Sequence, residues 1–516
     1  MKKQRHNPLA LTLTALAVST AIQSAQAVEL GPVRIDGFIR QHMSWNLDDP
    51  VTAAGPADAS GDMSMNRTTL QLEWVADLPR DIAFVGVARA NWEQRLDYLK
   101  DLEAMGAYGN EGVGDYYDDA DIREAYLDIP VGDRTMLKLG KQQVAWGETD
   151  FFQAMDMVHG FDYTWRSFLE PANSDLRKPL IMANAIIDVP EADGSLQLLF
   201  RPGWDDEEDI GNSYDIEGGR WASNPWKGVY FPAVDPYNYD HSEGDMDDPT
   251  YGIRWNGMWG DLGYSFAYLK TFNPDPVMNA NPAFGGMAYK GEYGSDQAST
   301  IGEVIYPMID MLGFTLNGYS GTGDFVWSTE FAYIKDAPFN YGGFGEGAAA
   351  CNFIEHGFCG IEEKDVLRSM VRVDKNLAFA QSLFGAEKPA FFSMQLFDTW
   401  IMDFDESDRL KVLVGQPELR KEHSTLLTTI FGLSYMNGRL TPELVAGFDL
   451  TYGGGFAVPS LTYTIGNHWK VKGEFDLFWS DGTRENGAPV ASTTDSSLFG
   501  WFEDNDQFAL TVTYQF

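Results

Sequence analysis

The residues best suited to binding a small molecule lie in one segment, from Trp146 to Lys178. It mixes aromatic rings with charged side chains, which is too apolar for a freely solvated loop. The side chains selected from it are Trp146, Glu148, Asp150, Phe151, Phe152, Tyr163, Trp165 and Arg166. Folded into a pore mouth, they would constrict it and stack against an apolar or amphipathic solute, while Arg166 pairs with Glu148 or Glu124. The alternative is a loop that packs only on its neighbours.

Catalytic motifs are absent from the sequence. It contains no G-x-S-x-G, no H-E-x-x-H, no Walker-type phosphate loop and no Gly-rich dinucleotide fingerprint. A hydrolase would need a serine, a histidine and a carboxylate on neighbouring outward strand positions, for which His468 or His42 could serve. We therefore expect neither an enzyme nor a cofactor, and a lipid hydrolase remains an alternative.

The first 27 residues resemble an export signal. Lys2, Lys3 and Arg5 precede an apolar stretch from Leu9 to Ile22 that is too short to span a bilayer, and Ala25-Gln26-Ala27 suits cleavage. The sequence thus predicts a signal peptide at 1–27 and a mature chain, residues 28–516.

The predicted export bears on the state of the two cysteines. Cys351 and Cys359 enclose seven residues in a Gly/Ala-rich stretch, and exported chains meet oxidising conditions. We predict a disulfide between them. The alternative is a metal site with His356 and Glu355, although two cysteines with one histidine are weak ligand spacing.

Composition excludes other classes of protein. The 37 Lys and Arg residues against 76 Asp and Glu residues leave a formal charge of −39, which repels nucleic acid. The 33 Phe, 23 Tyr and 15 Trp residues exclude a disordered chain. Much of the excess acid lies in predicted loops, as at 205–209 and 403–406, which are either simply solvated or bind divalent cations.

Alternation of side chains along the chain gives the fold class. From Trp469 to Trp479 the odd positions are mainly apolar and most even positions are charged. Ten steps of such a strand, tilted in a barrel, rise roughly 25 Å, which matches the lipid-facing band of an outer-membrane barrel. A soluble sandwich could also alternate, but the pattern recurs along the chain with aromatic residues at the band edges.

Connections alternate in length, as they do in a transmembrane barrel with short periplasmic turns and long extracellular loops. The predicted long connections are roughly 97–120, 143–179, 202–249, 272–308, 336–364, 401–424 and 481–505. The sequence therefore predicts an all-β, antiparallel transmembrane β-barrel of about 16–18 strands, with the junction at 377–388 the hardest to place.

Residues on the polar strand faces are predicted to line the lumen. They are Glu73, Arg89, Asn91, Glu93, Glu124, Lys138, Gln142, Arg254, Glu330, Arg368, Arg372, Lys470, Lys472, Glu474 and Asp476. Both signs of charge occur, which favours an interior filled by ion pairs and loops over a strongly ion-selective pore.

Three stretches carry a family resemblance: KLGKQQVAWGETD at 138–150, YPMIDMLGF at 306–314 and VWSTEFAYIKDAP at 326–338. They resemble the domain of unknown function 1302 family of proteobacterial outer-membrane proteins. The resemblance implies an outer-membrane barrel that works alongside a periplasm-facing lipoprotein and an inner-membrane transporter of the resistance-nodulation type. It carries over no catalytic or ligand residues.

The last strand ends on Phe516, which resembles the signal that outer-membrane proteins present to the barrel-insertion machinery. The expected surroundings are thus outer-membrane lipid, in the bacterial outer membrane. The expected function is a channel for hydrophobic or amphipathic small molecules. The alternatives are a non-enzymatic surface or assembly platform and, third, an outer-membrane lipid hydrolase.

Overall fold

The computed structural model describes residues 28–516 with several gaps. The gaps are 53–54, 107–111, 150–151, 171–172, 206–209, 216–218, 224–226, 229–233, 236–245, 295–300, 343–356, 415–417 and 481–497. Residues 1–27, the predicted signal peptide, lie outside the description.

Within the described residues, eighteen antiparallel strands form one closed sheet, at the upper end of the predicted number. The first nine are β1 Val33–Asn46, β2 Met63–Leu78, β3 Ile82–Glu93, β4 Asp119–Val131, β5 Thr135–Gln142, β6 Leu180–Val189, β7 Gly194–Arg201, β8 Thr250–Trp259 and β9 Leu262–Phe272. The others are β10 Met308–Ser320, β11 Phe325–Tyr341, β12 Gly360–Leu377, β13 Ala390–Ile401, β14 His423–Gly432, β15 Leu440–Asp449, β16 Gly455–Ile465, β17 Trp469–Trp479 and β18 Gln507–Gln515. A three-residue strand, Val28–Leu30, adds to β1.

The first and last strands of the barrel pair with each other. β18 runs antiparallel to β1, from Phe38 opposite Gln515 to Asn46 opposite Gln507. Beyond β18, Phe516 exchanges backbone hydrogen bonds with Gly37 at 3.0 and 3.2 Å. The sheet therefore has no free edge at this seam, and a closed sheet is the strand arrangement that satisfies its backbone in lipid.

Side-chain alternation divides each strand between an outer and an inner face. On β17, whose bounds match the predicted strand, Phe475 is 45% exposed while its neighbour Asp476 is fully buried. The outer face of the barrel carries further exposed apolar side chains, among them Phe266 and Leu312. This is the pattern expected when the outer face contacts lipid and the inner face a polar lumen.

Long connections lie at one end of the barrel, together with one short turn at 450–454, and the other short turns lie at the opposite end. These ends are called the long-loop end and the short-turn end. The predicted turns at 78–81, 130–133, 190–194, 260–261, 437–438 and 466–467 all lie at the short-turn end. The predicted connection at 336–364 is wrong in extent, because β11 continues to Tyr341 and β12 begins at Gly360. A further long connection, 47–62, was not among those predicted.

The connections contain short elements of their own. Four α-helices are described: α1 Asp97–Met105, α2 Val113–Tyr117, α3 Asn173–Leu176 and α4 Ala378–Phe384, the last at the uncertain junction of 377–388. Small strands occur at Val51–Thr52, Gly55–Pro56, Val234–Asp235, Val277–Ala280 and Gly302–Ile305. In the described part of the chain, no helix combines the length and apolarity needed to cross a bilayer.

Two apolar clusters join inward strand residues to the connections. In the first, Leu269 of β9, Met311 of β10 and Ile334 of β11 pack with Trp146 and Met155 from the connection between β5 and β6. In the second, Phe456 of β16 and Phe478 of β17 pack with Phe168 from that connection and with Phe499. The lumen therefore contains a packed interior that its walls alone do not supply.

Gly447 on β15 provides a test of that packing. A Cβ atom added there would lie 2.1 Å from the ring of Phe456, which is fully buried. We expect Gly447→Ala to cost about 1–3 kcal/mol, because the ring has to leave its place among Phe168 and Phe499. Thermal denaturation in detergent, followed by circular dichroism, measures the loss.

The matched control for this variant is Gly473→Ala on β17, where the nearest atom to an added Cβ, on Phe508, is 3.8 Å away. The control should unfold at the wild-type temperature. Equal unfolding temperatures for both variants would contradict the packing described.

Candidate functional site

The connection between β5 and β6, residues 143–179, folds into the lumen and is called the inward loop. The ring centroid of Phe152 lies 6.1 Å from that of Phe397 on β13, and Phe168 lies 6.3 Å from Phe478 on β17. On another part of the wall, the guanidinium carbon of Arg67 on β2 lies 4.4 Å from the ring centroid of Trp165. Because β2 and β13 lie seven strands apart around the barrel of eighteen, the loop crosses the lumen.

Arg166 fastens the loop to β17. Its Nη2 atom donates to Glu474 Oε1 at 3.0 Å and to Asp476 Oδ2 at 2.8 Å, and all three side chains are at most 5% exposed. Burial alone would lower the pKa of Arg166, but the two carboxylates outweigh it and raise that pKa. The predicted partners, Glu148 and Glu124, were therefore wrong: carboxylates more than 300 residues along the chain take that place.

The start of the loop is held by the opposite part of the wall. Glu330 on β11 accepts hydrogen bonds from the backbone N–H groups of Glu148 and Met155, the latter at 3.3 Å. Arg372 on β12 donates to the carbonyl oxygen of Glu148 at 3.0 Å. Trp146 is fully buried and donates from Nε1 to Gln197 at 3.0 Å. These contacts fix the polypeptide where it enters the lumen.

His159 is a loop residue that the sequence reasoning missed. Its Nε2 atom accepts the N–H of Val144 at 2.9 Å, and the ring is fully buried. Burial, with the nearby guanidinium of Arg177, lowers the pKa of His159 to about 3. The imidazole is therefore neutral at ordinary pH and joins the start of the loop to its middle as a hydrogen-bond acceptor.

Ion pairs on the wall formed by β1, β2 and β3 were also missed. Arg67 pairs with Glu170 of the loop, and Arg40 and Arg89 both pair with Asp175 of α3. Of these residues only Arg89 was predicted. Arg40 and Arg67 stand on inward positions of their strands, so the alternation could have found them. The partners were not predictable, because no local pattern gives the path of the loop.

The predicted lumen residues fall on inward strand positions, but only some of them meet the loop. Glu330, Arg372 and Glu474 contact it directly, as above, and Arg89 meets α3. Others bind elsewhere: Glu73 accepts from Gln71, Glu93 pairs with Arg220, Arg368 pairs with Asp275, Lys472 pairs with Glu474, Arg254 donates to Ser265 and Lys138 lies over the ring of Tyr126. Glu124 lies opposite Val87, and Lys470 is exposed near the short-turn end.

The predicted loop residues have these surroundings. Tyr163 stacks with Tyr214 at 5.4 Å, and Trp165 lies 5.6 Å from the ring of Tyr117. Asp150 and Phe151 lie outside the described residues. A constricting role for the set stays a prediction.

A pocket of about 540 Å³ opens beside the start of the loop, at the short-turn end. Its lining is polar and carries both signs of charge. It includes Glu148, Asp261, Asn317, Ser328, Arg372 and Asp374. The lumen thus changes from apolar packing near the long-loop end to a polar cavity near the short-turn end.

The structure also bears on the predictions made for His42, for the cysteine pair and for a metal site. His42 lies on the inward face of β1 and is fully buried, so it cannot serve an outward-facing hydrolytic site as considered from the sequence. Cys359 is buried, but Cys351, His356 and Glu355 lie outside the described residues, so the disulfide stays a prediction. Among the described residues, no group of three or more His, Cys, Asp or Glu side chains could hold a metal ion.

Sequence comparison assigns the family. The family model described as "Protein of unknown function (DUF1302)" matches residues 9–516. The chain belongs to this family. The predicted resemblance is thereby confirmed, and it spans nearly the whole chain. No curated protein matches the chain.

Solved structures similar to this DUF1302 protein include outer-membrane channels. Pseudomonas aeruginosa OpdK with vanillate shares 9% identity at a TM-score of 0.46, covering 94% of this chain and 98% of that one. Acinetobacter baumannii OccAB4 shares 9% at 0.46, with coverage of 95% and 99%. The outer membrane channel DcaP of Acinetobacter baumannii shares 9% at 0.39, with coverage of 94% and 97%. At these identities and TM-scores the likeness assigns neither a function nor a solute.

Removing Arg166 should release the inward loop from β17. Arg166→Met leaves Glu474 and Asp476 buried without their cation, and breaking such a pair costs about 3–5 kcal/mol. We expect the loop to become cleavable in limited proteolysis of the detergent-solubilised protein. Arg134→Met removes an ion pair with Glu191 that is exposed on both sides and serves as the control. Identical cleavage of both variants would show that Arg166 does not hold the loop.

Acidification should loosen the loop through His159. A histidine with an unfolded-state pKa of about 6.5 and a folded-state pKa of about 3 contributes its full stability above pH 6.5 and loses it as pH falls towards 3. The loss reaches about 2 kcal/mol by pH 5. Proteolysis of the loop should therefore be faster at pH 5 than at pH 7. In His159→Gln, which keeps an acceptor but does not titrate, the difference should shrink; an unchanged difference would assign the effect to other groups.

Proposed function

We propose that this protein is a channel of the bacterial outer membrane for hydrophobic or amphipathic small molecules. The observation that carries the proposal is the inward loop, which crosses the lumen of a closed barrel and carries aromatic rings and paired charges into it. A solute that follows it meets stacking surfaces and hydrogen-bonding groups in succession. The DUF1302 family leaves the solute open.

The membrane location is supported by the outer surface of the barrel. Exposed apolar side chains such as Phe266, Leu312 and Phe475 alternate with buried inward residues. On β17 the band begins at Trp469 and ends at Trp479, and a strand of this length rises roughly 25 Å. Aromatic residues at such edges suit the headgroup depth of a bilayer.

The choice of solute is supported by the interior. A general porin for ions and sugars keeps a water-filled lumen. In this protein, Phe152, Phe168 and Phe397 form an aromatic path from the loop to the wall. An apolar solute could replace these contacts with similar ones, whereas a hydrated ion would have to lose its water.

A platform function is the second candidate, and the same filling of the lumen favours it. Apolar clusters that join the loop to β9, β10 and β11 would resist passive flow. Such a barrel could instead act with a periplasm-facing lipoprotein and an inner-membrane transporter of the resistance-nodulation type. Flux measured in liposomes separates the two candidates.

Deleting residues 150–168 tests the channel. The deletion removes Phe152, Met155 and Arg166, so the lumen should widen, since the strands keep their own backbone hydrogen bonds. We expect higher single-channel conductance in planar bilayers and lower selectivity for apolar over polar solutes. A heat-modifiable shift on gels verifies that the barrel has assembled.

The control for this deletion is the removal of 405–407, three exposed residues of the connection between β13 and β14. It should leave conductance at the wild-type value. If the 150–168 deletion also leaves conductance unchanged, the loop does not line the path and the channel proposal fails.

A further inference from the structure

Three arginines stand at successive levels on the inner wall formed by β1, β2 and β3. Arg89 lies opposite Gln71, Arg40 opposite Thr69, and Arg67 opposite His42. Their levels differ by two residues along the strands, a step of roughly 6.6 Å. Arg40, Arg67 and Arg89 thus form a row that ascends one side of the lumen, and they are called the arginine row.

The inward loop covers the row with carboxylates. Arg67 Nη2 lies 2.6 Å from Glu170 Oε1, and each side chain is 5% exposed. Arg40 Nη1 lies 3.3 Å from Asp175 Oδ2, and Arg89 binds the other oxygen of the same carboxylate. Arg89 also donates to the carbonyl oxygen of Asp175 at 3.0 Å. Two carboxylates from the inward loop therefore match three guanidinium groups on strands.

The pKa shifts of Glu170 and Asp175 are those expected for carboxylates paired with arginines. Burial would raise the pKa of Glu170, but Arg67 and Arg166 outweigh it and hold that pKa below its usual range. Burial is likewise outweighed for Asp175, where Arg89 and Arg40 lower the pKa. Both groups are carboxylates rather than acids, so the row binds anions.

Apolar surfaces accompany the row. The guanidinium of Arg40 lies 4.5 Å from the ring centroid of Phe38, and that of Arg67 lies 4.4 Å from the ring centroid of Trp165. Immediately before Glu170, Phe168 and Leu169 are buried in the second apolar cluster. Phe168 and Leu169 thus lie in an aromatic cluster, while the nearby carboxylates of Glu170 and Asp175 lie on arginines.

We propose that the arginine row is a binding site for the carboxylate of an amphipathic acid, and that Glu170 and Asp175 occupy this site until such a solute displaces them. The proposal rests on the proposed channel function and names its solute class. Guanidinium groups bind carboxylates through paired, charge-assisted hydrogen bonds. Exchange of one carboxylate for another leaves no buried arginine without a counter-charge, which would be costly.

The net negative charge of the chain makes a local cluster of positive charge important for binding an acid. At −39, the protein repels anions over most of its surface. An acid that enters the lumen needs local positive charge, and the row supplies it on one wall. A neutral amphiphile of the same shape gains nothing from the row.

The test uses 4-phenylbutanoate and its neutral amide as probes of the full chain. Glu170→Gln combined with Asp175→Asn removes the internal carboxylates. Calorimetry on the detergent-solubilised protein should show at least about tenfold tighter binding of the acid and little change for the amide. Equal gains for both probes would mean that the loop was merely loosened, and no gain would mean that the row only anchors the loop; either result overturns the proposal.

Two further experiments test whether the arginine row is the site that binds the acid. Adding Arg67→Gln and Arg89→Gln to the double variant should abolish the gain, while Glu191→Gln, at an exposed pair with Arg134, should leave binding at the wild-type value. In the wild-type protein, which needs no refolding check, the acid but not the amide should expose the loop to protease. Equal exposure by both probes, or by neither, contradicts displacement.

Failure of this proposal is distinguishable from failure of the channel. Liposome flux of the two probes reports the channel, and calorimetry reports the site. Binding of the acid without flux of either probe retains the site and refutes the channel. Flux of both probes at equal rates, with no preferential binding, retains the channel and refutes the site.

Discussion

A closed sheet of eighteen strands encloses more space than its own inward side chains can fill. This constraint governs the interior of the protein, because the space has to hold water or be occupied by other parts of the chain. The inward loop occupies it, and charged groups carried into that space need partners. Arg166 with Glu474 and Asp476, and Arg67 with Glu170, are solutions to the same requirement.

The loop is attached in two physically different ways. Towards the long-loop end, the inner faces of β10 and β11 carry Met311 and Ile334, and Trp146 and Met155 pack on them. Towards the short-turn end, the same strands carry Asn317 and Ser328, which line the polar pocket. Apolar packing is insensitive to salt and pH, whereas ion pairs and hydrogen bonds respond to both. A change of salt or pH should therefore weaken the ion pairs and hydrogen bonds of the loop and leave its apolar packing in place.

The strands were predictable because lipid on one side and a polar lumen on the other impose a period of two on the sequence. β17 was predicted with its observed bounds for that reason. The end of β11 was not, since its register shifts between Ile334 and Ala337, where Asp336 has a φ of 54°. A bulge of this kind interrupts the alternation without ending the strand. The partners of Arg166 were beyond reach for a different reason: 308 residues separate Arg166 from Glu474, and no local pattern records that distance.

The seam between β1 and β18 has a consequence for the order of assembly. Residues 38–46 pair with residues 507–515, so the contacts that close the sheet join segments far apart in the chain and have very high contact order. Until the last strand pairs with it, β1 has its β2 neighbour but an open side. No enclosed lumen exists before that moment, and the buried pair between Arg166 and Asp476 cannot be sealed from water earlier. Pairing of the carboxyl-terminal strand with β1 is therefore the step that turns a ribbon of hairpins into a compartment.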